Sequence, residues 1–495
     1  MVNAPINQSE LTEKIFTIYE QIIKESEQAI ENLPVEGGLE NRDNLLAFLA
    51  LRKRWTIDLT EQLAAIGLSS IEHASDYVLF TLEKILTNLM SDIEKPSSVT
   101  IPDPLDAKTI SNRRAEELLG KRDQQLPAAV MVTLDAKMIY EPELMKELLM
   151  NGMDIARINC AHNHQEIWKK IIEVLREAEN KLKEEGNYHT RTCKIYMDLA
   201  GPKVRVGKLQ PVEISVIKGD FIRLYLDPEK IGHPAASDRP AGIPVTLAKA
   251  FRNVRKKDRI FIDDGKINGI VQQVTTDYIE IEILAPTLKP LRIKEGKGLN
   301  LPDSLLSLNV PALTEKDIDD LPFILGNADI LGISFVHTPI DLKKLREEME
   351  RIAGPRISVV AKIETKDAVH QLGRIILEGL KFKSFGIMIA RGDLAVEVGF
   401  ENLPFVQEEI LNICSAAYIP AIWATGVLEK MTKTGIPSRG EMTDASIGKQ
   451  AACIMLNKGP YINESLKMLV QLLKTEAIIS SRKQSSNYQL TSQIL

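Results

Sequence analysis

Cysteine is scarce in this chain: four residues in 495, Cys160, Cys193, Cys414 and Cys453. They are scattered, with no CxxC spacing and no histidines at zinc-finger intervals, so a disulfide framework and a zinc module are both excluded. They read as reduced core thiols of a cytoplasmic protein. Long apolar runs are also missing, and none approaches the ~18 residues a membrane-spanning helix needs. The opening "MVNAPINQSELTEK" lacks a basic segment followed by an apolar one, so no secretory signal is expected. A basic excess is absent too: the net charge is −6, which points away from nucleic acid and from a polybasic membrane contact. With 44% hydrophobic and 26% charged residues, the chain suits a water-soluble fold of more than one domain.

Residues 1–125 carry apolar residues at helical spacing in "ELTEKIFTIYEQIIKESEQAIENL", "NRDNLLAFLALRKRWTIDLTEQLAAIGLSS" and "ASDYVLFTLEKILTNLMSDI". This predicts an all-α N-terminal region, without a convincing cluster of catalytic residue types. The stretch 94–110, "EKPSSVTIPDPLDAKTI", reads as a boundary linker. From about residue 127 short β-branched runs alternate with amphipathic helical stretches. Eight such runs, 128–134, 154–159, 193–199, 329–336, 357–363, 385–390, 419–425 and 452–457, predict a closed parallel (β/α)8 barrel. After the third run about ninety residues alternate apolar and polar side chains around turn signals such as Asp-Gly. That predicts a small β domain over 203–300, a lid inserted into a barrel formed by 126–202 and 301–482, with a polar tail at 483–495.

A barrel of this kind places its site at the C-terminal ends of the strands. Read against that rule, the polar residues converge. Strand two ends in Arg157 and Asn159, followed by His162; strand three ends in Asp198, followed by Lys203 and Arg205. The fourth ends near Ser334 and His337, the fifth carries Lys362 and Glu364, and the sixth is followed by Arg391 and Asp393. The seventh ends in Thr425 and the eighth in Asn457 and Lys458. Alternation along a strand sends Lys362 and Glu364 to one side. Two carboxylates with open positions, Glu364 and Asp393, suit Mg2+ bound together with a substrate's oxygens. An ammonium beside such a metal is what phosphoryl transfer requires. The Gly392-Asp393 backbone adds free N–H groups at the mouth of a short helix.

These residues lie in stretches that resemble the pyruvate kinase family: in chain order "GMDIARINCAHNHQEIW", "MDLAGPKVRVG", "IFIDDGKI", "EGKGLNLPDSLLSLNVPALTEKDIDDL", "VVAKIETKDAV", "GIMIARGDLAVEVG" and "IPAIWATGVLEKM", over about 127–480. The resemblance implies that Lys362 stabilises the transferring phosphoryl group and the enolate, and that Arg157 contacts the phosphoryl group. It implies Glu364 and Asp393 as ligands of Mg2+ (or Mn2+), and Gly392, Asp393 and Thr425 as the seat of the substrate carboxylate. Asn159, His162 and Arg205 would face the nucleotide, with Lys297 and Asp264 reaching in from the lid. The reaction implied is phosphoenolpyruvate plus ADP giving pyruvate plus ATP. Barrels of this family assemble, so a homo-oligomer is implied, and the N-terminal extension is a candidate for subunit contacts.

The chain departs from the family pattern in several places. At the monovalent-cation site, Asn159 and Asp198 are kept, while Ala161 and Leu199 stand where oxygen ligands are usual. Lys203 replaces a glutamate of the K+-dependent members, so an ammonium there would make up the lost charge and K+ would not be required. "VTLDAKMIY" lacks the usual Gly-Pro-Ala-Ser turn, strand seven has Ala-Thr-Gly for Ala-Thr-Gln, and strand eight ends "MLNKGPYI" rather than "MLSGETA". The last change removes the serine that the resemblance implies as proton relay to the enolate, and a neighbouring glutamate. No counterpart of the effector-binding C-terminal domain is seen, so sugar-phosphate regulation there is not expected. Three functions compete: an active pyruvate kinase, a catalytically weak relative acting as a regulatory or binding protein, and a Mg2+-dependent lyase acting on a pyruvate enolate. The lid and its nucleotide-facing residues argue against the third.

Overall fold

The computed structural model describes residues 7–32, 39–68, 71, 74–90, 101–123, 125–186, 192–286, 288–304, 310–352 and 354–484. Eight parallel strands close a barrel: β1 (Ala129–Leu134), β2 (Ile155–Asn159) and β3 (Lys194–Asp198) before the insert, then five after it. The insert holds β4 (Glu213–Val216), β5 (Phe221–Tyr225), β6 (Ala241–Pro244), β7 (Arg259–Ile262), β8 (Ile267–Val274), β9 (Tyr278–Ala285), β10 (Leu291–Lys294) and β11 (Leu299–Asn300). The barrel resumes with β12 (Ile330–Ile333), β13 (Ser358–Ile363), β14 (Phe385–Ala390), β15 (Ala421–Ala424) and β16 (Cys453–Leu456). The hydrogen-bonded order β1-β16-β15-β14-β13-β12-β3-β2 follows the chain once around the ring. Each of the eight strand expectations falls on one of these strands. Those at 329–336 and 419–425 prove too long, because the chain turns left-handed after the strand, at Phe335 (φ 54°) and Thr425 (φ 66°).

Alternation divides each barrel strand between two cores. Met131, Ile155, Tyr196, Ile330, Val360, Met388, Ile422 and Cys453 point inward and pack together inside the ring. Their neighbours Val130, Ala156, Ile195, Leu331, Val359, Ile387, Ala421 and Ile454 point outward against the helices. Burial on both faces explains why the strands read as continuous apolar runs. The insert has its own core, including Val204, Ile222, Leu224, Ile260, Ile262, Ile279 and Ile281, beneath the sheet β11-β7-β8-β9-β5-β6 and the pair β10-β4. The β7–β8 turn places Asp263, Asp264 and Gly265 at positive φ, as the Asp-Gly signal suggests.

The N-terminal region folds as α1 (Gln8–Asn32), α2 (Leu39–Arg52), α3 (Ile57–Ala65), α4 (Val78–Leu89) and α5 (Pro104–Leu119). Leu11, Ile15, Tyr19, Leu45, Leu82 and Leu86 join the core of the barrel's helical layer rather than forming a separate one. Asn44 locks this docking: its Nδ2 donates to Ser75 O and Ala416 O, both at 2.9 Å, and its Oδ1 accepts from Val78 N at 3.2 Å. The expected linker at 94–110 is corrected in its second half, since 91–100 lie outside the described residues while Pro104 begins α5. Asp103 caps that helix, accepting from Leu105 N and Asp106 N at 2.7 and 2.9 Å, and Pro104 takes the first helical position. The last turn of α5 sends Leu118 and Leu119 into the barrel's interior core. This helix therefore stoppers the N-terminal mouth, opposite the site. The polar tail 485–495 lies outside the described residues.

Candidate active site

Two residues beyond the inner apolar layer, strand after strand turns polar. Met131 is followed by Thr133, Ile155 by Arg157, Tyr196 by Asp198, and Val360 by Lys362 and then Glu364. Period-two alternation thus carries these side chains to the C-terminal rim of the same interior. Asp198, Lys362, Glu364 and Arg157 are all buried. Such charges persist away from water only when paired.

The pairing is close. Lys362 Nζ donates to Ser334 Oγ at 2.8 Å and lies 3.1 Å from Glu364 Oε1 and 3.2 Å from Asp198 Oδ2. Arg157 Nε donates to the same Asp198 Oδ2 at 3.2 Å, and its Nη1 to Thr133 Oγ1 at 3.1 Å. Burial alone would push the Lys362 ammonium down, but Asp198 and Glu364 overcome it and hold it above the ordinary lysine range. Lys362 is therefore a permanent cation. Gly332 makes the space, since a Cβ there would meet Tyr196 Oη at 2.1 Å and Asp198 Oδ1 at 2.6 Å.

Glu364 and Asp393 are shifted in opposite directions. Burial raises the Glu364 carboxyl, Lys362 opposes this, and Asp393 raises it further. Phe335 N donates to Glu364 Oε2 at 2.7 Å, a bond that the left-handed Phe335 delivers. Asp393 would also be raised by burial, but Lys203 and Asn300 bring it below the ordinary carboxylate range. Lys203 Nζ donates to both Asp393 oxygens, at 2.8 and 2.9 Å, and Asn300 Nδ2 to Oδ1 at 3.1 Å. Among the described residues no three acidic, histidine or cysteine side chains converge as a ready-made metal cage. Two hard carboxylates that repel one another do fit Mg2+ or Mn2+, which keep several ligand positions for water or substrate.

Beside Asp393, Gly392 is pressed so closely on Thr425 that a Cβ would lie 2.7 Å from Thr425 Cγ2. Arg391 fixes the Thr425 corner: its Nε donates to Ala424 O at 2.9 Å, one terminal nitrogen to Thr425 O at 2.7 Å, and its guanidinium stacks 4.3 Å from the Trp423 ring centre. Asp444 anchors the other side of the guanidinium.

A cleft of about 410 Å³ opens between this rim and the insert, lined by Arg157, Asn159, His162, Lys203, Arg205 and Lys458 among others. Burial, then Lys458, Arg205 and Arg157, lowers the His162 imidazole below its ordinary value, so it is neutral at pH 7. This cationic wall suits a polyphosphate. Asp264 reaches the cleft from the insert. Lys297 does not line it: its ammonium is engaged by Asp263 at 2.7 Å within the insert. Asn159 serves local structure as well, its Oδ1 accepting from Ala161 N at 3.0 Å. Lys203, expected to make up the charge lost at the monovalent-cation site where Asp198 is kept, places its ammonium on Asp393, while Arg157 and Lys362 take Asp198.

Sequence reasoning left out Asn300, which lies inside the quoted "EGKGLNLPD" but carries no charge to draw notice. It also left out Thr133 and Asp135 on the first strand's rim. There the missing Gly-Pro-Ala-Ser turn is replaced by a 3-10 turn, Ala136–Tyr140, whose cap Asp135 accepts from Lys137 N at 3.0 Å. Among the described residues no helix is long and apolar enough to cross a membrane.

Comparison with known proteins agrees with this geometry. A family model described as the pyruvate kinase barrel domain matches residues 128–465. The chain is similar to a pyruvate kinase of Thermococcus litoralis, 32% identical over 342 residues, 68% of this chain and 66% of that protein. A pyruvate kinase of Mycobacterium tuberculosis (strain H37Rv) is 30% identical over 305 residues, 61% of this chain and 59% of that protein. One of Corynebacterium efficiens is 33% identical over 300 residues, 60% of this chain and 58% of that protein. The matched part thus spans less than two thirds of these relatives' length.

Proposed function

The chain belongs to the pyruvate kinase family, and we propose that it transfers the phosphoryl group of phosphoenolpyruvate to ADP, giving pyruvate and ATP. The observation that carries this reading is the buried Lys362, kept charged by Asp198 and Glu364 beside Arg157. Two cations at one buried rim are suited to a group whose charge spreads over three oxygens during transfer. Arg157, already oriented by Asp198 and Thr133, contacts the phosphoryl group as a planar donor. Lys362 stabilises the same group and then the enolate oxygen left behind. Gly392 and Asp393, at the start of the helix Arg391–Val398, receive the substrate carboxylate with Thr425. His162, Arg205 and Asn159 line the nucleotide side. Glu364 and Asp393 would hold Mg2+ or Mn2+, which when bound polarises the phosphoryl and enolate oxygens.

K+ is not required on this reading. Ala161 and Leu199 offer no side-chain oxygen, Asp198 is already compensated by Arg157 and Lys362, and Lys203 brings its own charge into the cleft. The protein works in the cytoplasm as a homo-oligomer, as the family resemblance implies. A coupled assay for pyruvate tests the proposal: formation should require both phosphoenolpyruvate and ADP and stop when EDTA removes divalent cations.

A second reading, a catalytically weak relative that binds these ligands, is favoured by one observation. Strand eight delivers Asn457 and Lys458 to the cleft, and neither brings a hydroxyl from that strand to pass a proton to the enolate. Tight phosphoenolpyruvate binding without pyruvate release would select it.

A further inference from the structure

Asp393 is where both connections between barrel and insert meet. The outgoing segment Pro202-Lys203-Val204 places the Lys203 ammonium on both Asp393 oxygens at 2.8 and 2.9 Å. The returning strand β11 places Asn300 Nδ2 on Oδ1 at 3.1 Å. The two connections are bonded to one another, Leu299 N donating to Val204 O at 2.9 Å. The returning segment is also moulded around the lysine, since a Cβ at Gly298 would lie 2.6 Å from Lys203 Cε. A second acceptor waits on the insert: Asp264 Oδ1 is 3.8 Å from the same Nζ.

We propose that Lys203 is the built-in counter-ion of the metal site: its ammonium holds Asp393 until a divalent cation displaces it, and Asp264 then receives it. The proposal rests on the reading of Asp393 as a metal ligand. The physical ground is exclusion. An ammonium spanning both carboxylate oxygens occupies the space in which Mg2+ would bind at about 2.0–2.1 Å, and two cations there repel. Charge-assisted bonds of this kind must be given up before the metal gains its own. Lys203 therefore weakens metal affinity in the ligand-free protein, and ties metal arrival to the segments on which the insert is hung.

Mn2+ binding to the EDTA-treated full chain, without nucleotide or phosphoenolpyruvate, tests this through the electron paramagnetic resonance of free Mn2+. Asp393→Asn should abolish binding. Lys203→Met should tighten it by about tenfold or more, the scale of one lost charge-assisted bond. Asp264→Asn, which removes the second acceptor, should weaken it a few-fold. Persistence of binding in Asp393→Asn would overturn the metal-site reading itself. If that variant loses binding while Lys203→Met leaves affinity unchanged or weaker, the counter-ion role is overturned and the site stands. An unchanged affinity in Asp264→Asn refutes the hand-over. Lys203→Gln carries the same expectation if the methionine variant does not fold.

Discussion

Leu118 reaches from the last turn of the N-terminal region to Gly386 on β14, where a Cβ on the glycine would lie 2.5 Å from Leu118 Cδ2. The two residues are separated by most of the chain, yet one fills the space the other leaves. The helix that carries Leu118 closes the barrel's lower mouth, so the extension is structurally continuous with the barrel.

Removing that stopper should be felt as loss of stability. Leu118→Ala opens a cavity among Met131, Ile155, Val360 and Met388, and should cost about 2–5 kcal/mol, as buried leucine truncations do. Urea unfolding reports it as a lower midpoint. A midpoint within error of wild type would mean that α5 does not plug the barrel.

Glu397 supplies a pH dependence. Burial, and next Asp393, push its carboxyl up to about 8 from an ordinary 4.5. Below pH 4.5 both folded and unfolded states are protonated there and nothing is lost. Between 4.5 and 8 the unfolded state ionises first, so stability falls as pH rises, and above 8 the loss is complete. Glu397→Gln removes the titration. In EDTA its stability relative to wild type should grow from pH 5 to pH 8 by on the order of a few kcal/mol. A difference independent of pH, read from denaturant midpoints, contradicts this.

Much of this was legible beforehand, for a physical reason. Strands buried on both faces are continuous apolar runs, so all eight could be read, and a period of two then placed Arg157, Asp198, Lys362 and Glu364 on one inner rim. Long-range pairing was not legible. Nothing local in "GPKVRVG" says that Lys203 reaches Asp393 across 190 residues, or that Lys297 pairs with Asp263 rather than lining the cleft. Asn300 was missed because a neutral amide in an insert gives no periodic or charge signal. Pro104 read as a linker because proline marks both loop and first helical turn, and only the Asp103 cap decides between them.

The monovalent cation offers another check. Pyruvate formation should proceed at the same rate in Na+ and K+ buffers of equal ionic strength. Activation by K+ of about tenfold or more would mean that a K+ site survives despite Ala161, Leu199 and the Lys203 charge.

In the proposed reaction Lys362 is the charge that handles the phosphoryl group. The most direct measurement compares pyruvate formation from phosphoenolpyruvate and ADP by the wild type and Lys362→Met, with circular dichroism to confirm that both are folded. Loss of the ammonium should lower kcat by about 10³-fold or more, the scale of removing a preorganised electrostatic partner. A folded Lys362→Met variant that turns over like wild type, or a wild type that yields no pyruvate, would contradict it.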